Sequence, residues 1–186
     1  MRLQIPKPPY EHGVAEQIER WKAGSSLETP AIFEAFHIHP DLASRTGVLG
    51  AGFLGHNLMS TRDREIVIDR VTGKYGAEHE WSLHATIFGH AVELSEAQLD
   101  STVTGPTDSA DLWSPDELQL MQAVDELAES TDLGEEAWTF LRERYDDKQL
   151  IEFILLVGWY RTVSSMCNVL RIPCHPECRP FPSTGT

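Results

Sequence analysis

The residues of this chain best suited to chemistry lie in the segment GAEHEWSLH, residues 76–84, which reads as helix. Glu80 and His84 are four residues apart and therefore share one helical face. The same face carries Trp81 and Ile87, so we predict that it is the apolar face. A charge placed there is costly unless it is paired. Such placements cluster at functional sites, although a structural ion pair gives the same pattern.

Glu65 is a third candidate for acid–base chemistry. A neutral imidazole within reach of a carboxylate transfers a proton near neutral pH, and a second carboxylate orients the imidazole or takes its charge. Burial raises the pKa of a carboxyl group and lowers that of histidine, so we expect the two titrations to converge. The structural alternative for Glu65 is an exposed side chain paired with Arg62.

The histidines and cysteines do not have the spacing of a zinc site. His79 and His84 are five residues apart, roughly 140° around a helix of 3.6 residues per turn, whereas the zinc-protease motif needs histidines four apart. Leu83 stands where the second ligand would be. Cys174 and Cys178 also lack a usual zinc spacing. We therefore predict no metal site.

Length, composition and charge predict one soluble domain. The 186 residues are 41% hydrophobic and 24% charged, which is ordinary for a globular protein with its own core. The net charge of -14 is concentrated in residues 93–147, which hold sixteen Asp or Glu and two Arg. A surface that binds nucleic acid would need the opposite sign. We predict a solvated acidic face and no nucleic-acid partner.

The cysteines and the N-terminus predict a cytoplasmic protein. Three cysteines form no disulfide framework in a chain of this length, and an odd number fits a reducing compartment. The N-terminal sequence MRLQIPKPP has no apolar signal region. By its sequence, no run approaches the roughly 18 apolar residues that a membrane span needs, so we expect no membrane contact.

Helix signals run along the whole chain and no strand pattern persists, so the predicted fold class is all-α. We expect helices near 11–23 and 29–37, and a closely packed Gly- and Ala-rich helix over 42–54. Thr61 is the expected cap of the next helix. Three further starts have capping-box spacing: Ser95 with Gln98, Ser114 with Glu117, and Asp146 with Gln149. Residues 102–112 read as a linker between two halves.

Two segments predict self-association. Residues 153–160 are hydrophobic on every face of a helix, more than one small domain usually buries by itself. Residues 47–55 offer a surface of small side chains for close helix contact. We therefore expect a homo-oligomer (a dimer, trimer or hexamer) whose interface lies near His84, with a monomer as the alternative.

The motif residues resemble the carboxymuconolactone decarboxylase / alkylhydroperoxidase D-like family. The resemblance rests on Leu58, on REIVI at 64–68 and on YGAEHEWSLH at 75–84, and it extends over residues 36–173. It implies an all-α, alkylhydroperoxidase D-like bundle of repeated helical hairpins, with active sites near subunit contacts. The expected organisation is a single domain over 1–186: an N-terminal arm and helix (1–35), the family-like core, and an irregular tail (174–186).

The resemblance also implies which branch of the family is closer. In the peroxidase branch two cysteines do the redox work, but Ala77 and Glu80 stand in their places here, so the thiolate nucleophile is missing. The remaining residues, Glu65, Glu80 and His84, resemble the decarboxylase branch, in which a small lactone acid loses carbon dioxide and is reprotonated without metal or organic cofactor.

The expected enzyme is thus a cofactor-independent lyase whose substrate is a small carboxylic acid or lactone. His84 would donate and accept the proton, Glu80 would be its partner, and Glu65 would orient it. His56 and Trp81 are expected to line the pocket. Two alternatives stay open: a hydroperoxide-related antioxidant activity that depends on Cys167, and a non-catalytic helical oligomer that serves as a binding protein.

Overall fold

The computed structural model describes residues 1–22, 25–105 and 111–183. Within these ranges the chain forms nine α-helices and no β-strand, as the all-α prediction requires. The helices are α1 (His12–Lys22), α2 (Ala31–Phe36), α3 (Pro40–Gly55), α4 (Thr61–Lys74), α5 (Glu78–Ile87), α6 (Glu96–Thr104), α7 (Pro115–Ser130), α8 (Glu135–Arg144) and α9 (Asp147–Leu170). A single 3-10 turn, His90–Val92, follows α5.

Most helix starts follow from their capping residues. The three predicted capping boxes all form, at Ser95, Ser114 and Asp146. The cap predicted for α4 is wrong by one residue. Ser60, in extended backbone geometry, accepts the hydrogen bond from the Asp63 N–H at 3.0 Å, and Thr61 is the first helical residue.

Helix α4 lies at the centre of the bundle and packs against α5, α6, α7 and α9. Every residue from Asp63 to Gly73 is buried, although the segment carries several charged side chains. A buried charge must be paired. Three cations of α4 are paired with carboxylates of α7 at 2.7 Å each: Arg62 with Glu117, Arg70 with Asp125, and Lys74 with Glu129.

These three ion pairs fix how α4 and α7 lie together. In each pair the two residues are 55 positions apart, so the two helices run in the same direction and in constant register. The acidic region 93–147 is therefore not only a solvated face. Part of its charge neutralises the cations of the central helix.

Helix α6 approaches α4 at Gly73. A Cβ atom on Gly73 would lie 2.6 Å from the carbonyl oxygen of Thr102, so only glycine allows this contact. Thr102 is itself buried within α6 and accepts a hydrogen bond from the Trp81 indole N–H at 2.9 Å. The predicted linker therefore starts too early, since α6 continues to Thr104; residues 106–110 lie outside the described ranges.

Helix α9 is the one described helix whose length and composition would let it cross a membrane. Its most apolar 18-residue window has a mean hydropathy of 1.3. The expectation that no segment approaches the composition of a membrane span was therefore wrong for α9. However, 44% of that window is buried inside the protein. Because α9 packs against α3, α4, α5 and α7, its apolar character is also that of a core helix.

The two ends of the chain are tied to the bundle by side chains. In the N-terminal arm, Lys7 and Tyr10 both donate to the buried carboxylate of Glu34 at 2.6 Å. The C-terminal tail, irregular over 174–183, crosses α5. There Arg179 pairs with Asp100 at 2.7 Å, and the ring of Phe181 packs on Trp81.

Candidate active site

His84 of α5 lies between acidic side chains from two helices. Its Nδ1–H donates to Oε2 of Glu65, on α4, across 2.8 Å. On the other side of the ring, Nε2 lies 3.1 Å from the hydroxyl oxygen of Tyr160, on α9, and 3.7 Å from Oε1 of Glu80. All four side chains are buried. The structure thus brings together the three residues that the sequence singled out and adds Tyr160.

Arg64 completes this group. Its Nε donates to Oε1 of Glu65 at 2.7 Å, while its Nη1 is held by the Leu54 carbonyl oxygen at 3.1 Å and by Oδ1 of Asn57 at 3.2 Å. Glu65 therefore bridges a guanidinium and an imidazole with its two oxygens. The alternative of an exposed Glu65 paired with Arg62 is wrong.

The charge of Glu65 decides the protonation of His84. Burial acts to lower the pKa of His84, but the charge and hydrogen bond of Glu65, followed by those of Glu80, outweigh it and raise the pKa to about 10. Burial does oppose the charge, but the expectation that the pKa of His84 would end below its ordinary value is wrong. At neutral pH His84 is an imidazolium, and both ring nitrogens donate. The resting site holds an acid.

Tyr160 stays neutral beside this imidazolium. Burial, followed by the charges of Glu80 and Glu65, raises the pKa of Tyr160 well above its ordinary value. Its oxygen accepts from the Nε2–H of His84, and its hydroxyl proton remains free to donate to a third group.

The two residues expected to line the pocket are not among the hydrogen-bond partners of His84. Trp81 is fully buried against Phe181 and Arg179, a quarter turn away from the face that carries Glu80 and His84. His56 ends α3 and is exposed, and it does not contact His84. Ile87, placed on the apolar face by periodicity, is 39% exposed.

Two surface cavities formed by the described residues are not lined by Glu80 or His84. One, of about 490 Å³, lies along α1. The other, of about 570 Å³, is a groove between α3 and α9 whose walls include His56, Asn57 and Leu155. Since Asn57 accepts the hydrogen bond from Arg64, this groove adjoins the far side of the Arg64–Glu65 pair.

Sequence reasoning missed Arg64 and Tyr160 as members of the site. Arg64 stands next to Glu65, and neighbouring helix residues do not usually face each other, so spacing gave no reason to pair them. For Tyr160 a signal existed. It is a hydroxyl within the apolar run 153–160, and a buried tyrosine hydroxyl needs a partner.

Among the residues that the structure describes, no group of three or more His, Cys, Asp or Glu side chains is arranged to hold a metal ion. All three cysteines are free thiols. Cys167, on α9, is buried in a small apolar cluster with Ala77 and Leu83. Burial, with a contribution from the charge of Glu80, raises the pKa of its thiol.

Comparison with known proteins supports the fold. No protein-family model matches the chain, and no curated protein matches it. Among solved structures it is similar to the alkylhydroperoxidase AhpD core of an uncharacterised peroxidase-related protein from Ralstonia eutropha JMP134. The TM-score is 0.81 at 13% identity, over 95% of this chain and 93% of that one.

Two further structures are similar. A peroxidase-related protein from Silicibacter sp. TM1040 gives a TM-score of 0.81 at 12% identity, over 95% of this chain and 92% of that one. A protein of unknown function from Agrobacterium tumefaciens, described as a candidate antioxidant defence protein AhpD, gives 0.64 at 16% identity, over 75% and 94%. The chain therefore has the AhpD-like helical fold, as the motif residues predicted. A fold by itself does not determine the reaction.

Proposed function

We propose that this protein is a cofactor-independent acid–base enzyme, a lyase of the carboxymuconolactone decarboxylase type that acts on a small carboxylated lactone or related acid. The observation that carries the proposal is the buried ring of His84, held by Glu65 on one nitrogen and flanked by Glu80 and Tyr160 on the other. The raised pKa of His84 makes this ring an imidazolium at neutral pH. A protonated group of this kind is suited to protonating a carbanion in a site that excludes water.

In this mechanism the substrate loses carbon dioxide, and the electrons of the broken bond pass into the lactone carbonyl to give an enolate. Nε2–H of His84 then delivers its proton to the enolate carbon, which leaves the imidazole neutral. Glu65 keeps the proton on Nδ1 and fixes the ring so that Nε2 faces the reacting carbon. The imidazolium also attracts the anionic substrate, and that attraction is strong where water is excluded.

The direct test compares buried and exposed histidine–glutamate pairs. His84→Ala and Glu80→Gln should each lower the rate of carbon dioxide release from carboxymuconolactone at least about a hundredfold, the size of general acid–base effects. His90 and Glu96 are the matched control, because Nε2 and Oε1 of that pair lie 3.6 Å apart on the surface. His90→Ala and Glu96→Gln should leave the rate unchanged. Wild-type rates in folded His84→Ala and Glu80→Gln would end the proposal.

A hydroperoxide-related antioxidant activity is the second candidate. It is suggested by the descriptions of the similar structures, and the one thiol near the site is Cys167 among the described residues. The raised pKa of that thiol weakens this candidate, because the thiolate is the form that attacks peroxides. It requires peroxide consumption with a thiol donor that is lost in Cys167→Ser.

A non-catalytic role for the buried pair is the third candidate. Glu80 and His84 are only 8% and 5% exposed. The enzyme proposal therefore requires an opening towards Nε2. Crystals soaked with paraconic acid, a stable carboxylated butyrolactone, separate the two. A lactone within hydrogen-bond distance of His84 supports the enzyme, whereas unchanged packing supports the structural pair.

We further infer that the protein acts as a cytoplasmic homo-oligomer. Half of the 153–160 run is buried within the protomer, but the neighbouring faces of α3 and α9 leave large apolar side chains exposed. These are Leu42, Val48, Leu49, Ile151, Ile154 and Leu155. Four of them, Val48, Leu49, Ile151 and Leu155, line one groove, and an exposed apolar groove favours a second copy of the chain as its partner. Two of the glycines expected to form a surface for close helix contact are covered within the protomer, since Gly47 faces Trp21 and Gly50 faces Trp159.

A further inference from the structure

Asp69 is a fully buried acid that the proposed mechanism leaves unused. It lies on α4 one turn after Glu65 and on the same helical face. Neither of its carboxyl oxygens has a hydrogen-bond partner among the residues that the structure describes. Buried polar groups are nearly always paired, so an unpaired carboxyl group calls for a specific cause.

The surrounding helices place Asp69 in a second layer behind His84. Helices α4 and α9 run in the same direction here. At one end, Glu65 and Tyr160 meet through His84. Further along both helices, the Tyr75 carbonyl accepts from the Asn168 amide at 2.6 Å. The residue one turn after Glu65 on α4 therefore lies at the same height in the bundle as the residue one turn after Tyr160 on α9. These residues are Asp69 and Ser164.

Helix α5 runs in the opposite direction. Its later residue His84 lies beside Tyr160, whereas the earlier His79 donates from Nδ1 to the carbonyl of Pro173, after the end of α9, at 2.6 Å. Glu65, His84 and Tyr160 form the first layer. One turn away from them on the same three helices lie Asp69 on α4, Glu80 on α5 and Ser164 on α9.

This second layer is lined by polar atoms that bind no other protein group in the described part of the chain. They are Oδ1 and Oδ2 of Asp69, Oε2 of Glu80 and Oγ of Ser164. Four such atoms on three adjacent helices can hold a bound water by several hydrogen bonds at once. The layer therefore has the chemistry of an internal water site.

The charges around Asp69 favour its neutral form. Arg64 pairs with Glu65, and the imidazolium of His84 lies 3.7 Å from Glu80, so each of these two acidic side chains has a cation beside it. The remaining nearby cation, Arg179 of the tail, is held by Asp100 at 2.7 Å and Glu96 at 3.0 Å.

The pKa of Asp69 agrees with this balance. Burial and the charge of Glu65 raise it well above its ordinary value, and they outweigh the opposing effects of His84 and Arg179. The other titratable groups of the cluster, Glu80 on α5 and Tyr160 on α9, supply no further positive charge.

We propose that Asp69 is a proton store for His84, which it reaches through a water site that it lines together with Glu80 and Ser164. After Nε2 of His84 has protonated the substrate, the O–H bond of Asp69 breaks, water carries the proton, and an N–H bond forms on the neutral imidazole. The Asp69 carboxylate then recovers a proton from solvent. This role rests on the proposed function of His84. Asp69 acts through His84 and is a positioning residue, not a catalytic one.

The test follows the ring N–H of His84 itself. Exchange of the Nε2 proton with deuterated solvent is measured by nitrogen-15 NMR in wild type and in Asp69→Asn, which keeps the side-chain shape but cannot give up a proton. We expect at least about a tenfold slower exchange, at the lower edge of general acid–base effects. Glu152→Gln is the control, because Oε1 of Glu152 is also buried without a partner but its other oxygen binds the Leu58 and Met59 amides. Equal exchange in wild type and Asp69→Asn would overturn the proposal, as would equal slowing in Glu152→Gln.

A second measurement needs no variant. Infrared spectra of wild-type protein, with and without carbon-13 label in its aspartate carboxyl groups, should show an isotope-sensitive band of a protonated aspartate at neutral pH. Its absence would overturn the proposal. Neither measurement uses a substrate. A wild-type protein that fails to decarboxylate carboxymuconolactone would reject the proposed reaction, and the exchange rates would still decide the role of Asp69.

Discussion

The hydrogen bond between His84 and Glu65, 2.8 Å long and buried between α4 and α5, sets the chemistry of this site. A histidine on an apolar helix face would by itself be neutral, since burial disfavours its charged form. Glu65 reverses that preference and at the same time fixes which nitrogen faces the substrate. Its second oxygen is bound by Arg64, so the carboxylate cannot turn away.

Removal of the Glu65 charge should therefore lower the pKa of His84. In Glu65→Gln the desolvation of the imidazole is opposed by Glu80 alone, so the pKa should fall from about 10 towards or below the ordinary value for histidine. An NMR titration of the His84 ring measures the change, with circular dichroism to show that the variant is folded. Glu96→Gln is the control. An unchanged His84 pKa would show that Glu65 is not its main partner.

The stability of the protein should fall as the pH rises from about 6.5 to about 10, because the folded state keeps a proton on His84 that the unfolded chain has lost. The contribution is complete below the unfolded pKa and disappears above the folded one. Its slope approaches about 1.4 kcal/mol per pH unit for one proton. Urea unfolding at a series of pH values and one protein concentration measures it. His84→Gln should flatten this part of the curve, and an equal slope in that variant would contradict the assignment.

Tyr160→Phe tests the other side of the imidazole. The change removes only the hydroxyl that accepts from Nε2, 3.1 Å away, and keeps the ring in the core. The loss of one such hydrogen bond should lower kcat about tenfold with little change in KM, because the hydroxyl helps to place the proton. Tyr75→Phe is the control, since its hydroxyl binds the Ala128 carbonyl away from the site. Equal loss in both variants would point to a general packing effect.

The sequence alone was sufficient for the helical fold and for placing Glu80 and His84 together, because those features depend on local signals. Capping boxes at Ser95, Ser114 and Asp146 mark helix starts through atoms three residues apart. The four-residue spacing of Glu80 and His84 likewise places both on one face. Helix α8 was missed, although its acidic first turn and its final arginines match the helix dipole.

The protonation state of His84 could not be obtained from local sequence signals. It depends mainly on the contact of His84 with Glu65, 19 positions away, which no local pattern contains. The partner of Glu65 was also not obtained, because the sequence spacing offered Arg62 and gave no reason to consider Arg64. The structure separates them, since Arg62 turns towards Glu117 and Arg64 turns inward.

The last prediction concerns the exposed apolar face of α3 and α9. Leu155 is 49% exposed and lines the groove between these helices, so Leu155→Arg should place a charge in the contact between two copies of the chain. A buried unpaired charge at an interface costs several kcal/mol, which is enough to dissociate a weak oligomer. Light scattering should then give a mass near 20.9 kDa for the variant and a multiple of it for wild type.

Val169→Arg is the matched control, because Val169 is also apolar and exposed on α9 but lies near its C-terminal end. A wild-type protein that is already a monomer at micromolar concentration would overturn the prediction. An oligomer that dissociates equally in both variants would show that the interface is not centred on Leu155.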